Sequence, residues 1–66
     1  MEIKLSRKWV DKMKKLPESG MGYQLVEVKL KDGSILKGIV TNCNILEVTG
    51  LYFSFSIRDI EKIDLL

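Results

Sequence analysis

Residues 26–40 read "VEVKLKDGSILKGIV", an Asp-Gly pair with apolar residues recurring in twos on either side. A period of two marks a half-buried strand, and Asp-Gly between two such runs marks a hairpin. Two turn geometries fit, and they place the side chains differently. A two-residue type I′ loop at Asp32-Gly33 sets Leu30 opposite Ile35 and Val28 opposite Lys37, which aims a lysine at the core. A three-residue loop, with Gly33 left-handed in a bulge, sets Leu30 opposite Ser34, Val28 opposite Leu36 and Val26 opposite Gly38. The second register gathers Val26, Val28, Leu30, Leu36 and Val40 on one face and pairs Glu27 with Lys37 on the other. A slip of one residue exchanges the faces, so the better-segregated register is the expected one. Gly38 then faces inward in mid-strand, where the absence of a side chain permits the sharp bend that a small barrel needs.

Working outward, the same period predicts strands at 24–30, 34–41, 44–48, 51–57 and 62–65, separated by Asp32-Gly33, Asn42-Cys43, Thr49-Gly50 and a helical turn over 58–61. A two-residue Thr49-Gly50 loop would set Val48 opposite Leu51 and Leu46 opposite Phe53. Five short strands on tight turns are most economically arranged as a strongly bent antiparallel small barrel, because closure removes exposed edges. Ile60, Ile63 and Leu65 would complete it.

Ahead of the strands the period is helical. Leu5, Trp9, Met13 and Leu16 share one face, with Val10 at its margin. Ser6 is the expected N-cap, its hydroxyl accepting from the first turn, and Pro17 ends the helix. The chain is thus expected to be a single domain over 1–66: a helix segment at 1–17, a flexible joint at 18–23 and a barrel at 24–66. The fold class is mostly β with one N-terminal helix.

The bulk composition narrows the function. Sixty-six residues bury only roughly 60% of the surface their unfolded chain exposes, so stability has to come from a tightly packed core, a docked terminal helix or self-association. Cys43 is the sole cysteine and histidine is absent, which removes disulfides, the usual zinc clusters and the common general base. Cys43 has no histidine to activate it and reads as a turn thiol. Asp59, Glu61 and Asp64 lie close in sequence, but alternation puts Glu61 and Asp64 on different sides of Ile63, and solvated charges account for them. No catalytic residue, metal ligand or cofactor site is therefore assigned. No apolar run approaches the ~20 residues of a membrane span, and the N-terminus lacks a signal peptide's apolar centre. With a free thiol, that pattern implies a reducing cytoplasm. Of the net charge of +2, residues 1–20 carry +3 (six basic against three acidic) and the remainder −1 (five against six).

The run "VEVKLKDGSILKGIV", followed by "NILEV" and "IRDIEKI", resembles the Sm-like branch of the SH3-like small barrels. Asp32, Gly33 and Gly38 match the spacing of that family's first motif, and a helix ahead of five strands matches its layout. The layout is also similar to small bacterial helix-plus-barrel proteins, which imply no activity. Sm-like membership would imply RNA binding: an Asp and an Asn after the second strand grip uridine-type bases, and an Arg-Gly pair completes the site. Here Asn44 stands for one loop residue and Arg58 for the arginine. The loop is several residues short, and Asp59 replaces the glycine. Lys8, on the basic helix, is a further candidate phosphate contact, and Tyr23 and Tyr52 are the only plausible stacking residues.

The outer face supplies the other functional reading. Leu25, Ile35 and Ile39 fall outside the barrel on the first hairpin, and contiguous apolar surface of that kind is normally covered. The helix bearing Trp9 is one cover and a partner is the other. The expected function is a non-enzymatic interaction module that binds protein or itself through a patch of Leu25, Ile35, Ile39 and Trp9, with no membrane and no small-molecule cofactor. The alternative is an Sm-like RNA-binding protein.

Overall fold

The computed structural model describes residues 1–48 and 55–66. Five strands, β1 (Glu2–Lys4), β2 (Tyr23–Leu30), β3 (Ile35–Thr41), β4 (Ile45–Glu47) and β5 (Ile60–Leu65), form one antiparallel sheet in the order β1-β4-β3-β2-β5. One helix, α1 (Arg7–Lys14), and one 3-10 turn (Ile57–Asp59) complete the described elements. The fold is mostly β, as expected, with the helix preceding most of the sheet. Among the described residues no ladder joins β1 to β5, so these strands make a bent, open sheet and not a closed barrel.

The central hairpin takes the bulged register. Val26 pairs with Gly38 and Val28 with Leu36. The Leu30 N–H donates to the Ser34 carbonyl at 2.8 Å, and Gly33 has φ +96°. Asp32 accepts from the Ser34 N–H at 2.8 Å, tying the turn from its polar side. Gly38 faces inward at a close approach of two strands: a Cβ there would lie 2.8 Å from the Glu47 carbonyl oxygen and 3.1 Å from Leu46 and Val48 side-chain carbons. The absence of a side chain lets β3 and β4 close together at the bend.

The N-terminus departs from expectation. Residues 2–4 lie in the expected helix segment, yet they form β1 against β4, with Ile3 opposite Leu46 and the Val48 N–H bonded to the Met1 carbonyl at 2.9 Å. The β4 edge expected to meet strand 51–57 is therefore already occupied. The expected turn at Thr49-Gly50, the pairing of Leu46 with Phe53 and most of that strand lie on residues outside those described. Ser6 has the extended geometry of an N-cap, but its hydroxyl makes no capping bond. The joint at 18–23 is tied as well. Ser19 N–H donates to the Tyr23 carbonyl and Gly22 N–H to Glu18 Oε2, each at 2.9 Å, while Leu25 N–H reaches Ser19 Oγ at 2.8 Å.

The core lies between the inner face of the sheet and the helix. Val26, Val28, Val40, Leu46 and Ile63 are fully enclosed, and Leu5, Trp9 and Met13 pack onto them from the helix side. Ile60 and Ile63, three residues apart, both face inward because β5 carries an irregularity opposite Lys29 and Leu30 that inserts Glu61. The helix is about 12 Å long at 1.5 Å per residue. It begins next to the β3–β4 turn, where Leu5 N–H donates to the Asn44 carbonyl at 2.8 Å, and reaches β5, where Lys12 meets Asp64 at 3.3 Å. So short a helix touches both sides because the sheet curls around it.

Candidate functional site

With the helix on the inner face, the outer face of the sheet is left uncovered. Leu25 and Ile39 stand directly opposite each other on β2 and β3 and are about two-fifths exposed. Leu66, whose N–H donates to the Leu25 carbonyl at 3.0 Å, adds a third apolar side chain. Together they line a shallow depression of about 220 Å³ with Gly38 in its floor and Lys37 and Glu47 at its rim. The residues arrive there by simple alternation. If Val26, Val28 and Val40 face the core, Leu25 and Ile39 must face away from it.

Two members of the expected patch do not belong. Trp9 is buried on the opposite side of the sheet, because the inner face lacked enough apolar cover without it. The helix is thus not the cover of the outer face. Ile35 is well exposed but pairs with Lys29, two outward positions along β3 from Ile39, and the cross-strand pair of Glu27 and Lys37 intervenes. Leu66, which the sequence analysis did not select, completes the patch in place of Ile35. Sequence offered only its apolarity at the end of the alternating run as a clue.

The expected RNA contacts are not brought together. Asn44 follows β3 next to Thr41, which pairs with Tyr23 at the start of β2. Arg58 sits in the 3-10 turn, whose Asp59 carbonyl accepts from Lys31 N–H at 2.9 Å, just past the end of β2. The two positions are therefore separated by the length of an eight-residue strand, on the order of 25 Å. Lys8 lies on the helix with its Nζ 4.9 Å from the centre of the Trp9 ring, a cation–π contact that Lys12 shares at 5.7 Å. Tyr23 is partly exposed with its ring over Gly20, and Tyr52 lies outside the described residues.

The acidic residues of the C-terminal stretch are each held by a different partner. Asp59 accepts from the Ser56 N–H at 2.8 Å and from its hydroxyl at 3.3 Å, so its carboxylate caps the 3-10 turn. Glu61 pairs with Lys29 at 3.4 Å, and Asp64 with Lys12 at 3.3 Å and Lys62 at 3.4 Å. Desolvation raises the Asp64 carboxyl, but hydrogen bonds and attraction from Lys12 and Lys62 outweigh it and hold the group below its ordinary value. The Ser34 backbone N–H, followed by the Ser34 side chain, likewise holds Asp32 down. Among the described residues no helix is long and apolar enough to cross a membrane.

One buried polar side chain escaped the sequence analysis. Gln24 is enclosed on the inner face, and its Nε2 donates to the carbonyls of Met13 at 3.0 Å, Leu16 at 3.2 Å and Pro17 at 3.4 Å. It satisfies the Leu16 and Pro17 carbonyls beyond the helix end and adds a second donor to the Met13 carbonyl, which already accepts from the Leu16 N–H at 3.1 Å. Cys43 Sγ approaches the other end of the same amide, 3.8 Å from Oε1. Alternation through Val26 and Val28 was the signal that could have found it, since it points Gln24 inward.

Searches with models of known families, among curated proteins and among solved structures find no match to this chain.

Proposed function

We propose that this protein is a non-enzymatic interaction module of the cytoplasm that recognises protein, a second copy of itself included, through the outer face of its sheet. The observation that carries the reading is the depression around Leu25, Ile39 and Leu66, which no element among the described residues covers. Apolar surface gathered in one place favours a partner that removes it from water. The lysine and glutamate at its rim add direction to such a contact. The chain's own chemistry also favours binding over catalysis: the sequence has no histidine, and the thiol of Cys43 meets an amide instead of a base.

The test compares wild type with Ile39→Asp after thermal melting has shown that both are folded. Immobilised wild-type protein should retain partners, or free copies of itself, that Ile39→Asp releases. Equal retention by the two would contradict the reading. The alternative, a uridine-rich RNA ligand, has the basic N-terminal segment in its favour and the separation of Asn44 from Arg58 against it. Salt-sensitive retention of a uridine-rich oligonucleotide, lost on changing Arg58 and Lys8, would put the RNA reading in first place.

A further inference from the structure

We infer that the outer face is the contact surface of a two-fold dimer of this chain, in which Lys37 of each copy meets Glu47 of the other. The inference rests on the interaction-module reading and names its partner. The floor of the depression is apolar, and its rim carries one charge of each sign. Glu47 stands directly opposite Ile39 across the β3–β4 ladder, and Lys37 precedes Ile39 by one outward position on β3.

Neither charge is in an ion pair among the described residues. The three ion pairs among the described residues join Lys12 and Lys62 to Asp64 and Lys29 to Glu61. Glu27 faces Lys37 across the β2–β3 ladder without closing an ion pair with it. Glu47 is in a worse position, because the register of β1 places Glu2 directly opposite it. Like charges facing each other across a ladder destabilise it. A cation supplied from outside would relieve that repulsion.

A second copy supplies one. Rotation by 180° about an axis through Ile39 exchanges the basic and acidic sides of the depression. Ile39, which lies on the axis, then meets its own counterpart with Leu25 beside it, and the Lys37–Glu47 pair forms twice. A patch of this kind is complementary to itself, which is the requirement of an isologous interface. A partner of another sequence would need the same ordered set of acid, apolar centre and base.

Sedimentation equilibrium across the micromolar to millimolar range tests the dimer with four samples: wild type, Lys37→Glu, Glu47→Lys, and an equimolar mixture of the two variants. Both substitutions are at exposed positions, and far-UV circular dichroism will confirm that each variant is folded. Wild type should dimerise, and each variant alone should dimerise more weakly by roughly tenfold or more, because like charges then meet at both sites. The mixture should recover the wild-type affinity, since one copy then carries two acids and the other two bases. A wild type that stays monomeric throughout overturns the dimer, while the broader reading is still decided by the Ile39→Asp retention experiment. A wild-type dimer that both variants leave unchanged, or a mixture no tighter than the variants alone, shows association elsewhere and overturns this interface.

Discussion

Gln24 couples the strand to the helix through a single amide. Its inward position would suit a valine in the alternation, yet the site needs a donor, because the Met13, Leu16 and Pro17 carbonyls end up beside it. Replacing it with leucine keeps most of the volume and strands the Leu16 and Pro17 carbonyls, while the Met13 carbonyl keeps the Leu16 N–H. Gln24→Leu should therefore cost about 1–3 kcal/mol of unfolding free energy in urea, the usual penalty for buried polar groups left unpaired. A loss too small to measure would mean that water satisfies the carbonyls. Gly33 isolates a different force. Nothing lies within 4 Å of a Cβ built there, so only the backbone, at φ +96°, resists substitution. Gly33→Val should destabilise by at least ~1–2 kcal/mol through left-handed strain alone. A neutral effect in the same denaturation experiment would refute the bulged turn.

At the scale of elements, the contact between the helix and β5 depends on pH. Asp32 and Asp64 both titrate below their ordinary value of 3.8. A carboxyl depressed in the folded state contributes stability that is complete above its unfolded value and lost as pH falls through the folded one. The stabilisation from these two groups should therefore hold down to about pH 5 and fade below pH 4. Asp64→Asn removes one of them, so the melting temperature should fall less steeply with acid than in wild type. Matching acid limbs for the two proteins would show that Lys12 and Lys62 do not stabilise the ionised carboxylate. Because these pairs are exposed, they orient the helix more than they hold it. Trp9 and Met13, buried against the sheet, are what hold it.

For the molecule as a whole, the hairpin and both faces of the sheet were legible because alternation over fifteen residues admits only one well-segregated register. The bend at Gly38 followed from the same logic, whereas Ile60 and Ile63 share the inner face only through the irregularity in β5, which alternation does not show. The first strand was not legible. Glu2, Ile3 and Lys4 are too few to show a period, and Ile3 pairs with Leu46, a contact remote in sequence. The interaction face was legible in part: Leu25 and Ile39 had to point outward, but whether the helix would cover them depended on a competition between two apolar surfaces. The inner face won because it was larger and needed Trp9 and Met13 to close. Gln24 escaped attention because a glutamine at a strand's start usually meets solvent, and only the position of the helix end explains it.

The sheet separates a sealed face from an open one, and adjacent residues of β3 test that separation. Ile39 is 43% exposed and Val40 is 0% exposed. Urea unfolding of Ile39→Asp and Val40→Asp at low protein concentration compares the two faces in one strand. The account predicts that Ile39→Asp stays within about 1 kcal/mol of wild type, as surface substitutions do, while Val40→Asp fails to fold or loses at least 4 kcal/mol through an unpaired buried charge, to order of magnitude. Equal and severe losses, or a greater loss from Ile39→Asp, would show that the outer face is covered after all and would contradict it.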